Sequence, residues 1–181
     1  MTTRAFLALP CPDAWRTPLE IAQASLKFGR HVDPDDFHVT LVFLGDCTDL
    51  DLDELHALME GFRAAPFEIR LGEAGHFGKG APRVIHYAVH PDPPLMALQS
   101  RLEHVARTAG IAVPSRRYVP HVTLARLKGH EADAGPLALW LSDRRPHALP
   151  PARVEAVTLY ASHLRADGAE YDALANYRLR G

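Results

Sequence analysis

A chain of 181 residues with 47% hydrophobic and 23% charged side chains has the make-up of one ordinary globular domain, which excludes a disordered or fibrous polypeptide. The formal net charge of −2 and pI near 6.6 provide no broad basic field. Tight binding to long nucleic acid through many phosphates is thereby excluded, whereas a few clustered Arg or Lys side chains still suffice for one or two phosphates.

"RAFLALP" (4–10) is a short apolar run closed by proline and predicts a strand. In "PDAWRTPLEIAQASLKFG" (12–29), Leu19, Ala22 and Leu26 recur at helical spacing, with Gly29 as the expected stop. "FHVTLVFLG" (37–45) is rich in β-branched and aromatic residues and predicts a strand ended by Gly45. "DLDLDELHALMEGFRAA" (49–65) predicts a helix whose acidic start suits the macrodipole. "FEIRLGEAG" (67–75) and "RVIHYAVH" (83–90) predict two strands joined by the glycine-rich "GHFGKGAP" (75–82). "PPLMALQSRLEHVARTAG" (93–110) predicts a helix from a favourable proline start to Gly110. "HVTLARL" (121–127) predicts a strand and "AGPLALWLSD" (134–143) a short helix. "ARVEAVTLYASHL" (152–164) and "AEYDALANYRLR" (169–180) close the chain as strands around the turn "RADG".

One unit, helix–strand–helix–strand–strand, occurs twice in this order, as in a diverged duplication. No proline- or serine-rich linker separates the copies. The expectation is a single α+β domain, 1–181, with two lobes related by an approximate two-fold axis. Each lobe is an antiparallel sheet with helices on its outer face, and the active cleft lies between them. No stretch approaches the roughly 18 apolar residues of a membrane span. The first residues are too short an apolar run for a secretory leader. Cys11 and Cys47 lack a redox or metal spacing, so a cytosolic protein with reduced thiols is expected.

The two copies share a tetrapeptide. His38-Val39-Thr40-Leu41 recurs as His121-Val122-Thr123-Leu124, and random order would yield well under one copy. Similar strands would share Val, Thr and Leu for their β preference. The shared His needs another reason, because burying an imidazole forfeits its hydrogen bonds to water. Alternation puts His38 and Thr40 on one face and Val39 and Leu41 on the other; His121 and Thr123 likewise oppose Val122 and Leu124. If a two-fold axis relates the copies, two imidazoles and two hydroxyls converge with no carboxylate among them. That inventory suits phosphate-ester chemistry, with one ring as base, its twin as acid, and the hydroxyls on non-bridging oxygens. A metal centre is not expected: nothing resembles His-Glu-x-x-His, and neither tetrapeptide holds Asp or Glu.

These strands resemble the paired signatures of the two-histidine phosphoesterase superfamily. Nearly end to end, the chain is similar to its RNA 2',3'-cyclic phosphodiesterases, also called 2'-5' RNA ligases. "RAFLALP" is similar to their opening strand, "FHVTLVFLG" and "VPHVTLARL" to their two signatures, "GHFGKGAPRVIHYAV" to the segment before the middle strand, and "LYASHLRADGAEYDALANYRL" to the closing hairpin. The resemblance implies metal- and cofactor-independent hydrolysis of a 2',3'-cyclic phosphate, on an RNA end or a small nucleotide, to a 2'-phosphomonoester, reversible as 2'-5' ligation. It implies His38 as proton donor, His121 as proton acceptor, and Thr40 and Thr123 on the phosphate. Relatives acting on ADP-ribose 1'',2''-cyclic phosphate or 2'-5' oligoadenylate use the same histidines, and a non-catalytic RNA-binding module is the alternative from outside the enzymes. Nothing in the sequence demands a membrane, an obligate protein partner or more than a monomer.

Arg126 matches an arginine often present after the second signature. Strict alternation turns it away from His121, so either the strand bulges or Arg126 is structural. Arg116, Arg117 and Tyr118 form a possible ledge for RNA, with Tyr118 and Phe77 as stacking candidates or packing residues. His31, His56, His76, His86, His90, His104, His130, His147 and His163 lack a hydroxyl two residues on, and most are expected at the surface. "GHFGKG" lacks the spacing of a phosphate loop and is expected to be a turn.

Overall fold

A computed structural model describes residues 2–79, 81–128, 134–143, 149–165 and 168–181. Ten strands and four helices follow one another along these residues. Strand β1 (Thr2–Pro10) leads to α1 (Asp13–Ala24), and the short β2 (Arg30–His31) precedes β3 (His38–Thr48) and α2 (Asp49–Glu60). Then come β4 (Phe67–Ile69), β5 (Leu71–Phe77), β6 (Val84–Val89), α3 (Pro93–Thr108) and β7 (His121–Arg126). Helix α4 (Ala134–Asp143), β8 (Ala152–Val154), β9 (Ala156–Arg165) and β10 (Gly168–Arg178) close the chain.

Local chemistry explains most boundaries. Thr48 and Asp51 form a reciprocal capping box at the start of α2, with the Asp51 carboxylate accepting from the Thr48 amide at 2.7 Å. Proline opens α3, whose Leu95, Leu98, Leu102 and Ala106 form one buried stripe, and Gly110 follows it at φ +84°. Two expected stops differ. Helix α1 ends at Ala24, and Gly29 takes φ +79° in the turn before β2. Gly45, at φ +77°, lets β3 continue through a bulge to Thr48 instead of ending it.

The sheet order is β10-β9-β1-β3-β7-β6-β5, with β2 also on β7, and β4 and β8 form a separate pair. Every pairing is antiparallel. The two lobes are the two halves of this sheet, joined where Val39 of β3 faces Val122 of β7. Both valines are fully buried. The lobes are not the two sequence copies, however. The β5–β6 hairpin follows the first tetrapeptide but pairs with the strand of the second, while β9 and β10 follow the second and join β3 through β1. Two helices cross as well, α1 packing on β7 and α3 on β3, while α2 stays on β3 of its own copy. Helix α4 is held beside α1 by a 2.8 Å bond from the Trp140 indole to the Ser25 hydroxyl. No helix among the described residues is long and apolar enough to cross a membrane.

Both repeated strands break their alternation at the same residue. On β1, Leu7 pairs with Val42 and Ala8 with Thr40, leaving Leu41 unopposed. On β6, Ile85 pairs with Ala125 and His86 with Thr123, leaving Leu124 unopposed. Each leucine is the extra residue of a β-bulge and is buried along with the residue after it. The Leu124 carbonyl accepts from the Val32 amide at 2.8 Å and from the buried Gln23 side chain of α1 at 2.8 Å. The repeated leucine thus has a structural reason: it is the residue that bulges.

Candidate active site

Antiparallel neighbours share a face when directly opposed. With Val39 across from Val122 and turned into the core, His38 and Thr40 of β3 lie beside His121 and Thr123 of β7 on the opposite face. All four are partly exposed there. The convergence expected from the duplicated tetrapeptide is therefore a pairing of two adjacent central strands.

The same local device orients both rings. The Nδ1–H of His38 donates to the Asp36 carbonyl at 2.7 Å, and that of His121 to the Val119 carbonyl at 2.7 Å. An Nδ1 facing a carbonyl carries the proton, so in each neutral ring Nε2 is the basic nitrogen. The His38 Nε2 lies 3.0 Å from the Thr40 hydroxyl, which donates to it.

Their surroundings differ. His38 sits among Phe6, at 4.9 Å between ring centroids, Tyr171, at 5.2 Å edge-on, and Tyr160, at 6.2 Å. Burial in this aromatic setting lowers its pKa to about 4, the His121 and Arg126 charges push the same way, and the Asp36 carbonyl opposes. His121 meets Phe77 edge-on at 4.8 Å and His86 at 5.3 Å. Burial also lowers its pKa, with Arg126 and Arg116 adding to the effect and the Val119 carbonyl resisting.

The bulge decides the place of Arg126. Because Leu124 is an extra residue, Arg126 returns to the face of His121 and Thr123 and is exposed there. Its charge acts on both histidines. In β3 the same offset from the histidine holds Phe43, also exposed, with the Arg116 guanidinium 4.5 Å above its ring.

A profile of the 2'-5' RNA ligase superfamily matches residues 10–165. The chain belongs to that superfamily. It is 32% identical over 127 residues to the RNA 2',3'-cyclic phosphodiesterase of Bacillus subtilis, covering 67% of this chain and 69% of that protein. A Thermus thermophilus protein of the same name is 30% identical over 191 residues, covering 98% of this chain and 91% of its own. Among solved structures, E. coli LigT complexed with 3'-AMP superposes with a TM-score of 0.83 at 26% identity, covering 100% of each chain. The resemblance read from the two signatures and the expected α+β fold are both borne out.

Within this superfamily member the remaining candidates fall unevenly. Phe77 lies beside His121, partly exposed and stacked on His86 at 4.0 Å. Of the two roles open to Tyr118, stacking or packing, the structure shows the second: it packs against the core with its hydroxyl enclosed. Arg116 and Arg117 are exposed. The "GHFGKG" stretch continues β5 as far as Phe77 before it turns at Gly78. Cys11 and Cys47 are buried free thiols, as apolar packing residues would be. Among the described residues no group of three or more His, Cys, Asp or Glu side chains is placed to hold a metal ion.

Most of the unpaired histidines lie at the surface as expected, and His86 is the exception among the described residues. His31, His56, His76, His90, His104 and His163 are exposed, while His130 and His147 lie outside the described residues. His86 is only 6% exposed. Its ring rests over Gly75, where a Cβ would come within 3.3 Å, and packs against both Phe77 and His121, which also touch each other. Nothing in its own segment marks it; only the pairing of β6 with Thr123 of β7 brings it to the site. Phe6, Tyr160 and Tyr171 likewise carry no local signal, whereas Phe43 stands at the offset in the first copy that Arg126 holds in the second.

Burial lowers the His86 pKa to about 4, with His121 and His76 adding and the Val84 carbonyl opposing. A folded-state value below the unfolded one near 6.5 means stability that is complete above about pH 6.5 and lost as pH falls towards 4. Urea unfolding should therefore show a loss on the order of 2 kcal/mol from this group between pH 7 and pH 4.5, and His86→Phe should remove that part of the acid sensitivity. An unchanged pH dependence in the variant would refute the assignment.

Proposed function

We propose that this protein hydrolyses a 2',3'-cyclic phosphate, at an RNA end or on a nucleotide, to a 2'-phosphomonoester by acid–base catalysis between His38 and His121. The observation that carries the reading is the pairing of two His–Thr faces on adjacent central strands, each imidazole turned by a backbone carbonyl so that Nε2 is its reactive nitrogen. The relatives named RNA 2',3'-cyclic phosphodiesterase support the choice of substrate. The reading includes a cytosolic, single-domain protein that needs neither metal, cofactor nor protein partner.

In the forward direction His121 Nε2 accepts a proton from water as the oxygen attacks phosphorus. The P–O3' bond breaks, and protonated His38 Nε2 gives its proton to O3'. One water is consumed and the phosphate stays on O2'. Thr40, Thr123 and Arg126 supply donors and positive charge to the non-bridging oxygens, where charge builds in the transition state. A 5'-hydroxyl taking the place of water leaves a 2'-5' linkage by the same displacement. Phe77 offers a ring face for a base beside His121.

The protonation states set the pH dependence. Both rings are held below the ordinary histidine value, so in the free protein the singly protonated pair is scarce at pH 7 and grows as pH falls. An anionic phosphate between the rings raises both values. The profile of kcat/KM should accordingly be bell-shaped with its maximum below pH 6.5, and that of kcat should peak at higher pH. Asp36, pushed up to about 6 by burial and by Asp33, Asp35 and Glu170, titrates in the same range, but its backbone carbonyl rather than its carboxyl holds His38. The deciding assay incubates the protein with a nucleoside 2',3'-cyclic phosphate in EDTA and identifies the product isomer. ADP-ribose 1'',2''-cyclic phosphate and 2'-5' oligoadenylate serve as parallel substrates. A 3'-phosphate product, activity on only the parallel substrates, or binding without turnover across pH would each reject the reading.

A further inference from the structure

The short strand β2 places a second arginine beside Arg126. Arg30 of β2 is directly opposite Arg126 of β7, so their side chains leave the sheet on the same face. Both are exposed, and neither has an ion pair among the described residues. Like charges directly opposite each other on a sheet are destabilising unless an anion lies between them. In a chain whose net charge is −2, such a pair is a local feature and not part of a general basic surface.

Arg30 also lies against the closing hairpin. A Cβ built on Gly168, the first residue of β10, would come 2.9 Å from Arg30 Nη1, so this guanidinium lies against bare backbone there. Arg30 therefore reaches from the half of the sheet carrying His121 to the closing hairpin of the half carrying His38. Arg126 is among the main charges acting on both histidines, and Arg30 is among the main charges on neither.

We infer that Arg30, with Arg126, forms a second anion site that takes the 3'-5' phosphodiester preceding the terminal cyclic phosphate, making an RNA strand, and not a lone nucleotide, the preferred substrate. This rests on the reading of the cleft as a cyclic-phosphate site and adds the direction in which the rest of the strand leaves it. Terminal phosphorus sits between the histidines, Arg126 bridges the two phosphates, and Arg30 holds the outer one against Gly168. The matching chemistry is an anionic oxygen receiving charge-assisted hydrogen bonds from two guanidinium groups.

The test compares kcat/KM for a nucleoside 2',3'-cyclic phosphate with that for a dinucleotide ending in the same group. Wild type should prefer the dinucleotide by about tenfold, the low end for a charge-assisted contact at an exposed position. Arg30→Gln should reduce that preference to near unity and Arg30→Lys should keep most of it. A dinucleotide with a neutral methylphosphonate linkage should lose the preference in wild type. Retention of the ratio by Arg30→Gln, or equal use of the methylphosphonate, would overturn the inference. Binding of an oligonucleotide ending in a 3'-phosphate separates this from the reading beneath it. Arg30→Gln should flatten the dependence of log K on log salt by about 0.7, the value for one single-strand phosphate contact, even if wild type turned over no cyclic phosphate. An unchanged slope would overturn the inference while leaving hydrolysis intact.

Discussion

Replacing His38 or His121 with alanine should each lower turnover of a 2',3'-cyclic phosphate by about 10²–10⁴-fold, the usual contribution of a positioned acid or base. The double variant should be little worse than either single one, because the two rings act as a unit. Each ring is bonded through Nδ1 to the backbone carbonyl two residues before it and packs on aromatic side chains of the cleft face, so truncation leaves the apolar core beneath the sheet intact. The roles separate by leaving group. A phosphodiester with a good aryl leaving group needs no proton from the acid, so the His38→Ala deficit should shrink sharply on it while the His121→Ala deficit persists. Rescue of His121→Ala instead would reverse the assignment. Two variants close to wild type, with melting curves unchanged, would remove the acid–base pair altogether.

The second large effect belongs to Arg126. Losing one preorganised donor to a developing phosphate charge typically costs about 10²–10³-fold, and Arg126→Ala should reduce kcat/KM by about 10²-fold, with Arg126→Lys in between. Its sign on the histidines gives a further readout. The Arg126 charge lowers the pKa of both His38 and His121, so removing it should raise both and move the maximum of kcat/KM to higher pH. A purely structural arginine at a strand end would alter neither the phosphate-dependent rate nor the position of that maximum. Loss of activity with the pH maximum unmoved would place Arg126 away from the rings.

The chemistry of the centre was legible in the sequence because it is local. Alternation within a strand follows from backbone geometry, so His38 with Thr40 and His121 with Thr123 share a face wherever the strands lie. The helix stripes, the acidic start of α2 and the proline start of α3 are local in the same sense. The settings of Tyr118 and His86 are not legible in the sequence because they are made by distant residues. An aromatic residue in an arginine-rich loop reads as an exposed ledge until the core it packs against is known. A histidine without a neighbouring hydroxyl reads as a surface residue until β6 lies against β7.

What the amino-acid order determined by itself was the duplicated His-x-Thr-Leu strand, the residue types of its two faces, and through them the family. Pairing across the sheet decided the rest. It brought β3 beside β7, exchanged the hairpins between the copies, and bulged each strand at its leucine, which swung Arg126 onto the histidine face. The physical reason is the range of the forces involved. Side-chain alternation is written in each residue's own dihedral angles, but a bulge exists only relative to the partner strand, and the partner is selected by burial of apolar surface contributed from the whole chain.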